Sequence, residues 1–133
     1  MTDFNSVTHV VARKQHQCCE CRGIIAPMDT YERVAATYDG TFSTFKTCKH
    51  CEIARDWLLN ETDWPHDVDG DGHSYFFERL SEHLTEQAQE GDKKYAFRAY
   101  RFVALMRRRR KEWAEAYNAE AVKIRDQVIG GAA

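Results

Sequence analysis

The chain has 133 residues, 43% hydrophobic and 30% charged, which is enough for one domain or one domain with an extension. A formal net charge of −2 rules out an overall basic balance, and no apolar run is long enough to span a membrane. The polar N-terminus lacks an apolar signal segment, and five cysteines here point to free thiols in a reducing compartment, so a cytoplasmic protein is expected.

Charge is unevenly spread along the chain. Residues 1–51 carry six basic and five acidic groups, residues 52–92 two and twelve, and residues 93–133 eleven and four. The small net charge therefore hides an acidic middle and a basic C-terminal third.

The first chemical signal is a pair of Cys-x-x-Cys motifs, Cys18/Cys21 and Cys48/Cys51. Two such pairs can close a tetrahedral Zn²⁺ site, because each puts two thiolates on one tight turn around a soft cation. Cys19, His16 and His50 lie close enough in sequence to compete, and the evenly paired cysteines are the favoured ligand set. Gly23 is expected to let the chain turn behind the metal. Four thiolates leave no open position for water, so the expected zinc is structural.

Between the motifs, Tyr31–Tyr38 and Thr41–Thr47 are rich in β-branched and aromatic residues and flank Asp39-Gly40. This pattern predicts a β-hairpin. The second motif runs into Glu52–Leu59, which reads as a helix. The order of knuckle, hairpin and Cys-x-x-Cys at a helix start resembles the treble-clef zinc finger over about residues 13–60. That family places its second ligand pair on the first turn of the helix. It hosts nucleases, nucleic-acid binders and interaction modules, so the fold does not decide function. A His-Asn-His type nuclease would need a histidine on the hairpin, and residues 31–47 contain none. Ala12–Cys21 and Tyr31–Val34 also resemble small zinc proteins common in bacteriophage genomes. That resemblance implies a phage origin and motivates an anti-CRISPR-like role.

An acidic loop over 63–73 follows this module of residues 1–62. Asp67, Asp69, Asp71, Gly72 and Glu78 fall at positions 1, 3, 5, 6 and 12 of an EF-hand loop, a pattern for Ca²⁺. Ser74 stands where an apolar anchor is usual, and Pro65 interrupts the entering helix. A calcium site and a plain solvated loop both remain open readings.

A helical region over 74–133 completes the expected architecture. Phe76, Phe77, Leu80, Leu84 and Ala88 predict a helix over about 74–90, with Gly91 as its C′ residue and Asp92 capping the next helix. Tyr95, Ala99, Phe102, Met106, Trp113, Tyr117, Ala121, Ile124 and Val128 form a stripe broken by Arg109, and their period fits a packed helix better than a coiled coil. At 1.5 Å per residue, 93–128 would reach about 54 Å, longer than a compact domain is wide. The helix must break near 107–111 or project, the second case opening a route to a homodimer. The fold class expected is α+β.

Three functions compete. Arg107-Arg-Arg-Arg-Lys111 with Arg98 and Arg101 could bind nucleic-acid phosphates through Arg98, Arg101, Arg107, Arg108, Arg110 and Lys111, although consecutive arginines point all round a helix. The same arginines could instead pair with the acidic segment of their own chain. The acidic segment could present a protein-binding surface to a host protein or nucleoprotein complex, which the phage resemblance favours. Catalysis is the weakest reading, because no phosphate-cradling loop or nucleophile with a base is present, and His66, His73 and His83 beside acidic residues read as surface histidines. The expected function is a non-catalytic, zinc-stabilised interaction protein.

Overall fold

A computed structural model describes residues 2–38, 40–64 and 77–131. The chain is α+β, with strands first and a long C-terminal helix last. Strands β1 (Thr2–Val11), β2 (His16–Gln17), β3 (Ile24–Ile25), β4 (Thr30–Tyr38) and β5 (Thr41–Cys48) precede helices α1 (Lys49–Glu61), α2 (Leu80–Glu90) and α3 (Ala96–Gly131). A single 3₁₀ turn, Lys93–Tyr95, leads into α3.

The predicted hairpin is β4–β5, in register from Tyr31 opposite Cys48 to Tyr38 opposite Thr41. Gly40 has φ +79°, a left-handed value that suits glycine at the turn, and Asp39 lies outside the described residues. Strand β1 was not anticipated from sequence. It pairs antiparallel with the other side of β4, giving a three-stranded sheet in the order β1-β4-β5. Its β-branched run Val7-Thr-His-Val-Val11 carried a strand signal that the polar start of the chain obscured.

The short β2–β3 ladder folds the first Cys-x-x-Cys into a knuckle, with His16 opposite Ile25 and Gln17 opposite Ile24. Its left-handed residue is Arg22, φ 60°, and not Gly23. Gly23 serves a different need. A Cβ placed there would lie 2.7 Å from Cβ of Arg109, so the bare glycine lets α3 pass close behind the knuckle.

Helix α2 starts at Leu80, later than the predicted residue 74. Phe77 and Glu78 lie in a turn, and Glu78 has φ 76°, which no helix tolerates. Its own N-cap, Arg79, makes no side-chain cap. The carboxylate of Glu20, on the knuckle, accepts the Leu80 N–H at 3.1 Å instead. Gly91 at the other end has φ −83°, so it is not a left-handed C′ residue. It is required because Gln87 lies where a Cβ would go. Gln87 in turn donates to Asp63 at 2.6 Å, and Asp63 also accepts the Asp92 N–H, tying the end of α1 to the α2–α3 connection. Asp92 caps as predicted, accepting the Lys94 N–H at 3.0 Å.

Leu58 of α1, Leu80 and Leu84 of α2, and Ala99, Val103 and Met106 of α3 are buried in one cluster with Trp57, Trp64 and all four motif cysteines. The metal-type centre is therefore part of the main core. The expected zinc module and helical region share that core. Helix α3 is unbroken for 36 residues, about 54 Å. Residues 99–106 pack into the body, whereas 114–128 are exposed throughout. The helix projects and does not fold back at 107–111.

Candidate metal centre

Four sequence-distant thiols converge because three local structures each aim one or two of them inward. The knuckle supplies Cys18 and Cys21, the end of β5 supplies Cys48, and the first turn of α1 supplies Cys51. Cys48 is also the N-cap of α1, its sulfur accepting the Cys51 N–H at 3.4 Å. All four are buried, and their sulfurs lie within 4.8 Å of one another. Cys21 and Cys48 are 3.8 Å apart, the edge length expected of a tetrahedron with metal–sulfur bonds of about 2.3 Å.

Backbone amides surround the cluster. Glu20 and Cys48 N–H groups donate to Cys18 at 3.4 and 3.3 Å, and the Gly23 N–H donates to Cys21 at 3.3 Å. Such donors favour thiolate over thiol, as does the N-terminus of α1. Contact among the thiols lowers the pKa of Cys21 and raises those of Cys48 and Cys51. Cysteines so arranged could hold a metal ion such as zinc, and four thiolates with a tetrahedral edge fit that cation.

Arg109 completes the centre. It falls on the buried stripe of α3, and its guanidinium donates to the Ile24 carbonyl at 2.8 Å. Burial opposes its charge, yet the neighbouring thiols of Cys21, Cys48 and Cys51 hold its pKa above the ordinary value. A Zn²⁺ bound by four thiolates would carry two excess negative charges, and Arg109 would offset part of them. Sequence reading marked Arg109 as an interruption of the stripe and missed this role, because the partner thiols are brought to it only by the tertiary fold.

The other candidates sort differently. Cys19 turns from the cluster toward Thr47, 3.5 Å from its hydroxyl, and burial, with the charge of Glu20, pushes its thiol up to about 12. His16 packs against Tyr31, and His50 stands edge-on to Phe102; neither joins the four sulfurs. Asp67, Asp69 and Asp71 of the calcium pattern, with His66 and His73, lie outside the described residues. Glu78, its last position, is described and lies 3.7 Å from Arg22.

The basic run divides three ways around α3. Arg109 faces the thiols. Arg107 and Arg110 line a groove of about 430 Å³ with Glu20, Glu82, Glu86 and Glu90. Arg108 and Lys111 are exposed, as are Arg98 and Arg101. Among the described residues, Lys111 has an ion pair with Glu115 at 3.8 Å, and Arg98, Arg101, Arg107, Arg108 and Arg110 form none.

A second polar cluster joins sheet to helix. Arg55 of α1 grips both oxygens of buried Glu32 on β4, at 2.7 and 2.6 Å, and His9 of β1 meets Glu52 of α1 at 2.6 Å. His9, Glu32 and Glu52 form a metal-compatible trio by distance, but Arg55 already satisfies Glu32. The cluster reads as a set of polar bolts across a sheet–helix contact. No sequence spacing announced it, because its histidine sits on the unanticipated strand.

Comparison with known proteins adds nothing to this geometry: no family model, no curated protein and no solved structure matches the chain.

Proposed function

We propose that this protein is a non-catalytic interaction protein, stapled by a structural zinc in a treble-clef-like module, which docks a protein partner along the distal half of α3. One observation carries this reading. The stripe of α3 that is buried at Ala99, Val103 and Met106 continues on the same side of the helix through Trp113, Tyr117, Ala121, Ile124 and Val128. The body covers its first half only. Tyr117, Ile124 and Val128 are 67, 52 and 69% exposed. A core-facing pattern with none of the described residues packed upon it is what a helix-in-groove partner uses.

The order of knuckle, hairpin and helix supports the treble-clef reading, and the four-sulfur shell supports a metal that builds structure. The resemblance to phage zinc proteins directs the proposal to a host nucleoprotein or defence complex, which docking would modulate or inhibit. A second reading is self-association, because Tyr117, Ala121, Ile124 and Val128 are spaced four, three and four apart, the alternation of a coiled-coil seam.

A photo-crosslinking residue at position 124, compared with one at the opposite-facing position 115, tests the surface in host cells. A single discrete adduct from position 124 alone supports docking. An adduct at twice the mass of the chain selects self-association. Adducts from both faces alike, or from neither, would overturn the assignment.

A further inference from the structure

The proximal half of α3 presents a second surface of different chemistry. Residues 93–111 contain nine basic side chains and no acidic one. Phe97, Arg101, Arg108 and Lys111 lie along one outward side of the helix, a track of about 21 Å. Phe97 is 74% exposed and Tyr100 48%, on a surface where a large apolar ring has no structural task. The Arg101 guanidinium sits 5.9 Å from the centre of the Phe97 ring, so cation and ring form one platform. Beside them is a hollow of about 350 Å³ lined by Phe97, Arg98, Arg101, Phe102 and Leu105. It has an apolar floor and a guanidinium rim.

We propose that this outer face of α3 binds single-stranded nucleic acid, with bases stacking on Phe97 and in the adjoining hollow and phosphates following Arg101, Arg108 and Lys111. Among the described residues Arg101 and Arg108 have no carboxylate partner, and Lys111 has only an exposed pair with Glu115 that a phosphate can displace. The clustered cations therefore supply phosphate affinity, while exposed rings supply stacking that a duplex, whose base faces are hidden, does not reward. Asp56 and Glu61 line the neighbouring cleft of α1 with Arg98. Their charge keeps the strand on the Arg101–Lys111 side. The basic run as read from sequence is thus reduced: Arg109 is committed to the thiols, and Arg107 and Arg110 face the carboxylates of α2. This surface is independent of the distal docking stripe.

Fluorescence anisotropy of labelled 15-mers of dT and of U, with a duplex and heparin as competitors, tests it on the full metal-loaded chain. Expected is binding that weakens with salt at a log–log slope of about −2, from about 0.7 per phosphate over three contacts. The pair R101E/R108E should weaken binding at least tenfold and flatten that slope. F97A should weaken it about tenfold at unchanged slope, because it removes stacking and no charge. R125E, on the distal half, should leave binding unchanged. All four substitutions are at exposed positions, and metal content with circular dichroism verifies their folding. Binding to dT alone or U alone identifies the sugar preferred. No binding at low salt, F97A equal to the parent, or duplex and heparin competing as well as single strands would overturn the proposal.

Discussion

Arg109 donates to the carbonyl of Ile24 at 2.8 Å across 85 residues of sequence, and in doing so closes α3 over the thiol cluster. This contact binds the last helix to the turn that carries Cys18 and Cys21. It explains why a charged residue occupies the apolar stripe of α3.

Replacing Arg109 by alanine should cost about 2–3 kcal/mol, the range for a partly buried, charge-assisted hydrogen bond. It should also speed metal loss to a competing chelator, because the excess charge of the thiolates loses its nearest cation. Thermal denaturation and chelator-competition rates check both. Arg109→Lys should recover only part of the loss, since an ammonium lacks the planar fork that reaches the Ile24 carbonyl while its charge stays beside the thiols.

Gly23→Ala tests the same approach from the other side. Its Cβ would meet Cβ of Arg109 at 2.7 Å, so helix and knuckle must separate. A loss of about 1–3 kcal/mol in urea denaturation is expected, as for other overpacked sites. Alanine at Gly40, where nothing lies within 4 Å, should cost less and only through its positive φ.

His83 gives the pH dependence a direction. It packs on Trp64 with ring centres 4.8 Å apart, and burial lowers its pKa from 6.5, with Glu86 and Glu82 opposing and Arg79 assisting. The unfolded imidazole takes up a proton more readily than the folded one. Its contribution to stability is therefore fully present above pH 6.5 and is lost as pH falls below that value. Melting temperatures measured from pH 7.5 to 5.5 should fall less steeply in His83→Phe than in the parent.

Truncation after Trp113 should leave the body as stable as the full chain, because residues 114–128 are exposed and bury nothing in it. The same truncation should abolish partner capture through the distal stripe. Light scattering distinguishes the second reading: a full-length dimer that becomes monomeric on truncation would establish self-association.

The sequence made some of this plain and could not show the rest. The cysteine spacing and the Asp39-Gly40 signal located a hairpin and a thiol cluster, because both are local or nearly local patterns. Cys48 as the start of α1 followed from the same order. Strand β1 was missed since its pairing partner is β4, some 25 residues away, and its own alternation is weak. The stripe on α3 told which side is apolar but not what covers it, so the same period describes a packed half and a bare half. The roles of Arg109 and Gly23 depend on a tertiary contact between residues that no sequence pattern links.

Zinc-edge X-ray absorption on the purified protein tests the closed four-sulfur centre most directly. Four sulfurs at about 2.3 Å with no nitrogen or oxygen neighbour is the expected result, and it would establish a structural site held by Cys18, Cys21, Cys48 and Cys51. A shell of three sulfurs with one nitrogen or oxygen would contradict it, bringing a histidine or a reactive water into the centre and reopening the question of catalysis.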